Sequence, residues 1–168
     1  MKIVIETDRL VLREVTHHDF SELYTICSDK ELMKFVGDGN PLSEEQTKKW
    51  IDVTLANYKL KGFGMYAVIY KETGMFIGYG GLVSSEEVNS YELIYALSKA
   101  YRKLGLGTEI ATLMVEFGFC SLHMKEIYAS IDPENIPSKK ILLKVGFREV
   151  FAKKDQYGLE TVYFIMKR

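Results

Sequence analysis

YRKLGLGTEIATLMVEF (Tyr101–Phe117) places two glycines around one leucine, a basic pair before them and an apolar helical pattern after them. Just upstream, YELIYAL (Tyr91–Leu97) is rich in branched and aromatic residues and reads as a strand. A strand that feeds a glycine turn, which in turn feeds an amphipathic helix, belongs to folds that mix helices with a sheet. The first N–H groups of such a helix have no partner within it, and glycines let several of them converge. The helix dipole adds partial positive charge at the same point. The segment Arg102–Thr108 can therefore hold a phosphate, although the same residues also suit a plain helix-opening turn.

Two familiar phosphate motifs do not match. A P-loop needs Gly-Lys-Ser/Thr, and here Gly107 is followed by Thr108 and Glu109. A dinucleotide fingerprint needs a third glycine three residues after the second, and Ile110 stands there. A second element lies one strand further on: N-x-x-S, Asn135 to Ser138, opens the pattern PENIPSKKILLKVGF. Taken alone it is an ordinary capped helix start. Two helix starts separated by one strand can share one edge of a sheet, where a single ligand would touch both.

Working outward, RLVLREV (Arg9–Val15) alternates and reads as the first strand. Thr16 with Asp19 predicts a helix start, with Phe20, Leu23, Tyr24 and Cys27 on its inner face. Ser43 with Gln46 predicts a capping box and a helix to about Leu60, Trp50, Ile51 and Leu55 facing inward. FGMYAVIYK and MFIGYGGLVS flank ETG as a hairpin, and SYELIYALS follows as a third strand. The helix of the quoted stretch runs to about Leu122, EIYASID is a strand, and Asn135 to Gly146 bounds a short helix. REVFAKK and ETVYFIMK close the chain around DQYG. The order β-α-α-β-β-β-α-β-α-β-β predicts an α/β (α+β) fold, a mixed, mostly antiparallel sheet with helices on both faces.

With 168 residues and no linker, repeat or shift in composition, the chain is expected to form one domain over 1–168. A net charge of −1 gives no field to draw in nucleic acid or an anionic membrane. Cys27 and Cys120 form no CxxC pair, and His17, His18 and His123 complete no metal pattern, so no metal is expected. Two isolated cysteines in apolar patterns fit a reducing cytoplasm. The opening MKIVIETDRL is not a signal peptide, and no apolar run reaches the roughly 18 residues of a membrane span.

The chain resembles the GNAT superfamily of N-acetyltransferases, in particular its RimJ/RimL-like branch. ETDRLVLREVTHHD, SDKELMKFV, FIGYGGL, ELIYALSKAYRKLGLGTEIATLM and NIPSKKILLKVGF carry the likeness in order, and Arg102-x-x-Gly105-x-Gly107 matches the Q/R-x-x-G-x-G/A signature. The resemblance implies acetyl-CoA as co-substrate and an amine as acceptor. Backbone amides of Arg102, Lys103, Leu104, Gly105, Leu106, Gly107 and Thr108 would hold the pyrophosphate. Tyr95, Ala96 and Leu97 would splay from the next strand and pair with the pantetheine, while Asn135 and Ser138 would contact the pantetheine and the sulfur region.

Acetyl transfer needs a neutral amine, an aligned thioester and a donor for the oxyanion. A backbone N–H near Leu97 is the candidate donor, and Glu92 the candidate base; as bare sequence, Glu92 reads equally as a strand-edge carboxylate facing water. Many relatives carry a tyrosine seven residues after the asparagine as acid to the thiolate, but here that position is Leu142. Ser138 is then the candidate hydrogen-bond partner of the sulfur. Two further departures are Lys103 and Ile94, where glycine is frequent. The acceptor would enter between the first two helices and the closing hairpin, near Phe35, Asp38, Trp50, Tyr157 and Glu160. The expected activity is acetylation of a protein N-terminal amine; a small amine such as a polyamine or aminoglycoside, or CoA binding without turnover, are the alternatives. Whether the chain is a monomer or a homodimer is not legible.

Overall fold

The computed structural model describes residues 2–168. Eight strands form one sheet in the order β1-β2-β3-β4-β5-β6-β8-β7. They are β1 Ile3–Glu6, β2 Leu10–Glu14, β3 Met65–Tyr70, β4 Met75–Ser85, β5 Ser90–Leu97, β6 Glu126–Ile131, β7 Arg148–Lys154 and β8 Glu160–Lys167. Every pairing is antiparallel except β5 with β6. The helices are α1 Phe20–Cys27, α2 Lys30–Met33, α3 Glu44–Lys61, α4 Leu106–Glu116 and α5 Ile136–Val145. Among the described residues no helix is long and apolar enough to cross a membrane.

The expected mixed sheet with helices on both faces is present, with two additions at the N-terminal side. The first strand is a hairpin, β1 before β2: IVIE pairs with β2 at the sheet edge, its ends exposed and Val4 and Ile5 packed against the core. The short α2 follows Asp29, whose carboxylate accepts from the N–H groups of Glu31 and Leu32. In α1 the buried positions are Leu23, Ile26 and Cys27, so Ile26 rather than Tyr24 completes the inner face. The capping box Ser43–Gln46 opens α3 as expected. The helix α4 stops at Glu116 and continues as a π-helical turn, Phe117–Ser121.

Two apolar layers sandwich the sheet. On one face Leu23, Ile26, Cys27 and Ile51 pack on Ala67, Tyr79 and Ala96. On the other Leu106, Ile110, Met114 and Leu142 pack on Val68, Leu93, Leu97 and Ile127. Each fully buried Leu or Ile contributes about 1.5–3 kcal/mol relative to exposure. Helix α4 lies directly on β4 because a Cβ at Gly80 would overlap Ile110 Cγ2. The missing third glycine of the helix is thus offset by a glycine in the strand beneath it.

A buried ion pair ties the first strands to α1. Arg13 donates to the two oxygens of Asp19 at 2.8 and 2.6 Å, and Thr16 N donates to Asp19 Oδ2 at 2.7 Å. Burial alone would raise the Asp19 pKa, but the Arg13 and Thr16 hydrogen bonds win and hold it below the ordinary carboxylate range. Such a group stabilises the fold above its unfolded value near 3.9, and the contribution is lost as pH falls through the lower folded value. Asp19→Asn should therefore cost about 3 kcal/mol at neutral pH. In urea denaturation series the deficit should shrink in acid; a deficit constant from neutral pH into acid would refute this role.

Candidate active site

Strands β5 and β6 share one register pair, Glu92 with Tyr128, and then part. On its other side β5 stays paired with β4 through Leu97, and Ser98 N donates to Ile77 O at 2.8 Å. Antiparallel bonding alternates along a strand, so even-numbered residues of β5 bond to β4. The peptide groups of Tyr95 and Leu97 point the opposite way, into the opening. This V-shaped gap is lined by Glu92, Leu93, Ile94, Tyr95, Ala129, Ser130, Ile131, Asn135, Ser138 and Leu142, within a cleft of about 840 Å³. A ligand with alternating amide groups can continue the sheet here.

At the end of β5 the chain turns through Lys99–Tyr101 into the glycine loop. Arg102 Nε donates to Leu97 O at 3.0 Å, which fixes the loop against the strand end. Lys103 has φ +65 and Gly105 φ +79, so two left-handed residues aim neighbouring N–H groups to one side. Lys103 adopts this conformation at a cost of about 1 kcal/mol. Asn135 and Ser43 cap α5 and α3 with their side chains, whereas no side chain caps α4. The N–H groups of Leu106, Gly107 and Thr108 are thus left for an anion. The Leu106 side chain is core and that of Leu104 is exposed, so these two can serve a ligand only through backbone.

The opening motif TDRL buttresses this loop from across the sheet. Arg9 Nε and NH2 both donate to Glu109 Oε2, the former at 2.8 Å, and Arg9 NH1 donates to Leu104 O at 3.0 Å. Thr7 Oγ1 donates to the other Glu109 oxygen at 2.8 Å. The sequence contains both partners, but nothing in it shows that residues 100 apart meet.

The start of α5 faces the same opening. Asn135 Oδ1 accepts from Ser138 N at 3.2 Å, the expected cap. Ser138 Oγ lies 2.7 Å from Tyr95 Oη, a contact between β5 and α5 that sequence spacing does not reveal. Leu142 is fully buried in the core. On the other side, Glu92 is no edge carboxylate: it lies between β4 and β6, accepts from Ser130 Oγ at 3.3 Å, and has its buried Oε1 without a partner. Burial outweighs the opposing pull of the Ser85 and Ser130 hydroxyls and pushes its pKa above the ordinary value. A carboxylate of raised pKa with an unused oxygen is suited to take a proton.

Beyond Glu92 the cleft reaches Phe35, Trp50, Tyr157 and Glu160, and an adjoining cleft of about 780 Å³ adds Asp38. All five residues expected near the acceptor therefore meet on this side of the sheet. The left-handed Gly105 offers the cleanest test of loop geometry. Gly105→Ala should lower stability by about 1 kcal/mol in urea denaturation, since a Cβ there meets only Arg9, at 3.8 Å, but is held in a strained backbone. A variant as stable as the parent would mean that the turn relaxes.

A family model for an acetyltransferase (GNAT) domain matches residues 9–148. The uncharacterised N-acetyltransferase YnaD of Bacillus subtilis is 30% identical over 151 residues, 89% of this chain and 86% of its own length. Among solved structures, a GNAT-family acetyltransferase from Bacillus anthracis aligns with TM-score 0.81 at 23% identity, covering 99% of this chain and 98% of its own. RimL, a ribosomal-protein alpha-N-acetyltransferase solved with coenzyme A, aligns with TM-score 0.83 at 13% identity, covering 99% and 98%. Matched by the domain model over most of its length, this chain belongs to the GNAT family of acetyltransferases, N-acetyltransferases that draw the acetyl group from acetyl-CoA.

Proposed function

We propose that the enzyme acetylates the α-amine at protein N-termini, with acetyl-CoA lying in the gap between β5 and β6. The observation that carries the acceptor is the open, acid-lined groove. The two adjoining clefts share Val36, Gly37, Trp50, Val83, Ser84, Glu86, Ile94, Gln156 and Tyr157, so they are continuous and leave room for more than a small amine. Glu86, Glu87, Glu92, Asp132, Asp155 and Glu160 line the larger one against Lys34 and Lys153, and Lys153 is tied to Glu87 at 2.7 Å. Such a mouth favours a cationic amine. An α-amine near pKa 8 has a larger neutral fraction at neutral pH than a lysine amine near 10.4. RimL, which shares the fold, is described as acting on a ribosomal-protein α-amine.

In this reading the N–H groups of the Arg102–Thr108 loop, including Lys103, Leu104, Gly105, Leu106 and Gly107, hold the pyrophosphate. The peptide groups around Tyr95, Ala96 and Leu97 pair with the pantetheine, beside Asn135 and Ser138. Leu97 N–H points into the gap and serves the oxyanion; Leu97 O is already occupied by Arg102. Glu92 takes the amine proton. The chain works as a cytoplasmic enzyme, as its free cysteines suggest.

Release of free thiol from acetyl-CoA, screened against peptides of varied N-terminal residue, polyamines and aminoglycosides, tests the acceptor. Turnover is expected with free N-terminal peptides and to vanish when their α-amine is blocked. Preference for a polyamine or aminoglycoside would replace this reading, and tight CoA binding without any turnover would favour a binding module. Glu92→Gln should lower kcat about 100-fold. The parent's acid limb should lie above the ordinary carboxylate range, because the base works only once ionised and burial raises its pKa. That limb should be missing in the variant, and its deficit should narrow at high pH as the amine deprotonates unaided. Overlaid pH profiles would remove Glu92 from the role.

A further inference from the structure

We propose that Tyr95 is a positioning residue for this reaction: its hydroxyl holds that of Ser138, the expected partner of the sulfur, so that the Ser138 proton faces the departing thiolate. The inference rests on the gap between β5 and β6 being the thioester site. Leu142 is fully buried among the sheet and helix side chains, so nothing at that position can reach the sulfur with a proton. Among the described residues, two side-chain hydrogen bonds span the gap from β5, Glu92 with Ser130 and Tyr95 with Ser138.

These two links lie on opposite faces of the sheet. Side chains alternate along a strand, and residues 92 and 95 are an odd number apart. Ile94 and Ala96 pack with the α1 and α3 layer, on Glu92's side, whereas Leu93 and Leu97 pack with the α4 and α5 layer, on Tyr95's side. An acetyl group passing through the gap thus has a carboxylate towards the acceptor and two hydroxyls towards the donor. That is the polarity acetyl transfer needs.

The two hydroxyls carry two protons and share one hydrogen bond of 2.7 Å, so one O–H remains unspent. A phenol is the stronger donor of the pair, so Tyr95 donates to Ser138 Oγ and the Ser138 proton turns to the sulfur. Tyr95 is then a positioning residue that acts through Ser138. Burial pushes the Tyr95 phenol up to about 12. Its proton therefore does not pass to a thiolate whose conjugate acid lies near 8.5. In the transfer the N–C bond forms and the C–S bond breaks with its electron pair on sulfur. The amine proton goes to Glu92, and the thiolate remains hydrogen-bonded to Ser138 until water protonates it.

The test needs no acceptor. Affinity of the full chain for CoA is compared with that for desulfo-CoA between about pH 6 and pH 9, across the thiol's ordinary pKa. A donor aimed at sulfur favours bound thiolate, so the CoA to desulfo-CoA affinity ratio should rise roughly ten-fold across this range, equivalent to a bound thiol about one pKa unit more acidic. Ser138→Ala should abolish the rise, Tyr95→Phe should cut it at least about three-fold, and the double variant should match Ser138→Ala alone. The ratio separates loss of the hydroxyl from a disturbed fold, since a disturbed fold would weaken CoA and desulfo-CoA alike at every pH. An identical rise in the parent and Tyr95→Phe would overturn the inference. A parent that binds desulfo-CoA but shows no rise would also overturn it, leaving the cofactor reading intact; a parent that binds neither ligand would sink the cofactor reading itself.

Discussion

After Glu92 meets Tyr128, β5 and β6 no longer bond to each other, and the peptide groups of Tyr95 and Leu97 are left aimed into the gap, only the Leu97 carbonyl being met, by Arg102. Buried backbone N–H and C=O groups are costly to leave unpaired, so a gap in the middle of a sheet persists only where something else can satisfy them. In the proposed reading that partner is the amide-bearing arm of the donor. Beside the parting Glu92 meets Ser130 on one face, and Tyr95 meets Ser138 on the other. The groove, the Glu92–Ser130 contact and the Tyr95–Ser138 hydroxyl pair all lie along one interruption of the hydrogen-bond ladder.

The rest of the molecule supports that interruption from both sides. Gly80 lets α4 settle on β4, which brings the uncapped start of α4 up to the end of β5. Arg9 and Thr7 grip Glu109 and the Leu104 carbonyl, so the turn between β1 and β2 holds the loop in place. Stability is given up where the chemistry is placed. Lys103 occupies a left-handed conformation, and Glu92 keeps a buried oxygen without a partner. Such local costs, of order 1–3 kcal/mol each, are characteristic of functional sites.

Local chemistry made most elements legible. The Ser43–Gln46 box, the Asn135 cap, the left-handed Gly146 and the β3–β4 hairpin each depend on residues within a few positions of one another. The edge hairpin β1–β2 and the inner face of α1 were less legible, because IVIE is only four residues long with no polar–apolar alternation and Tyr24 is apolar enough to look buried. Glu92 was ambiguous for a similar reason. A carboxylate in a strand faces water on most sheets, and only the position of β5 between β4 and β6 turns this one inward.

What the sequence by itself determined was the family, through motifs in a fixed order, and with the family the cofactor; a strand, a glycine loop and a helix start are contiguous residues able to hold an anion, but alone they suit a plain turn equally well. It also showed that position 142 has no hydroxyl. Ser138 stood out as the nearest hydroxyl, and only the tertiary structure joined Tyr95 to it. Tyr95 and Ser138 are 43 residues apart and meet because α5 crosses back over the parted strands. Sequence carries short-range backbone geometry, whereas a contact between distant side chains exists only once packing has set the angle between their elements.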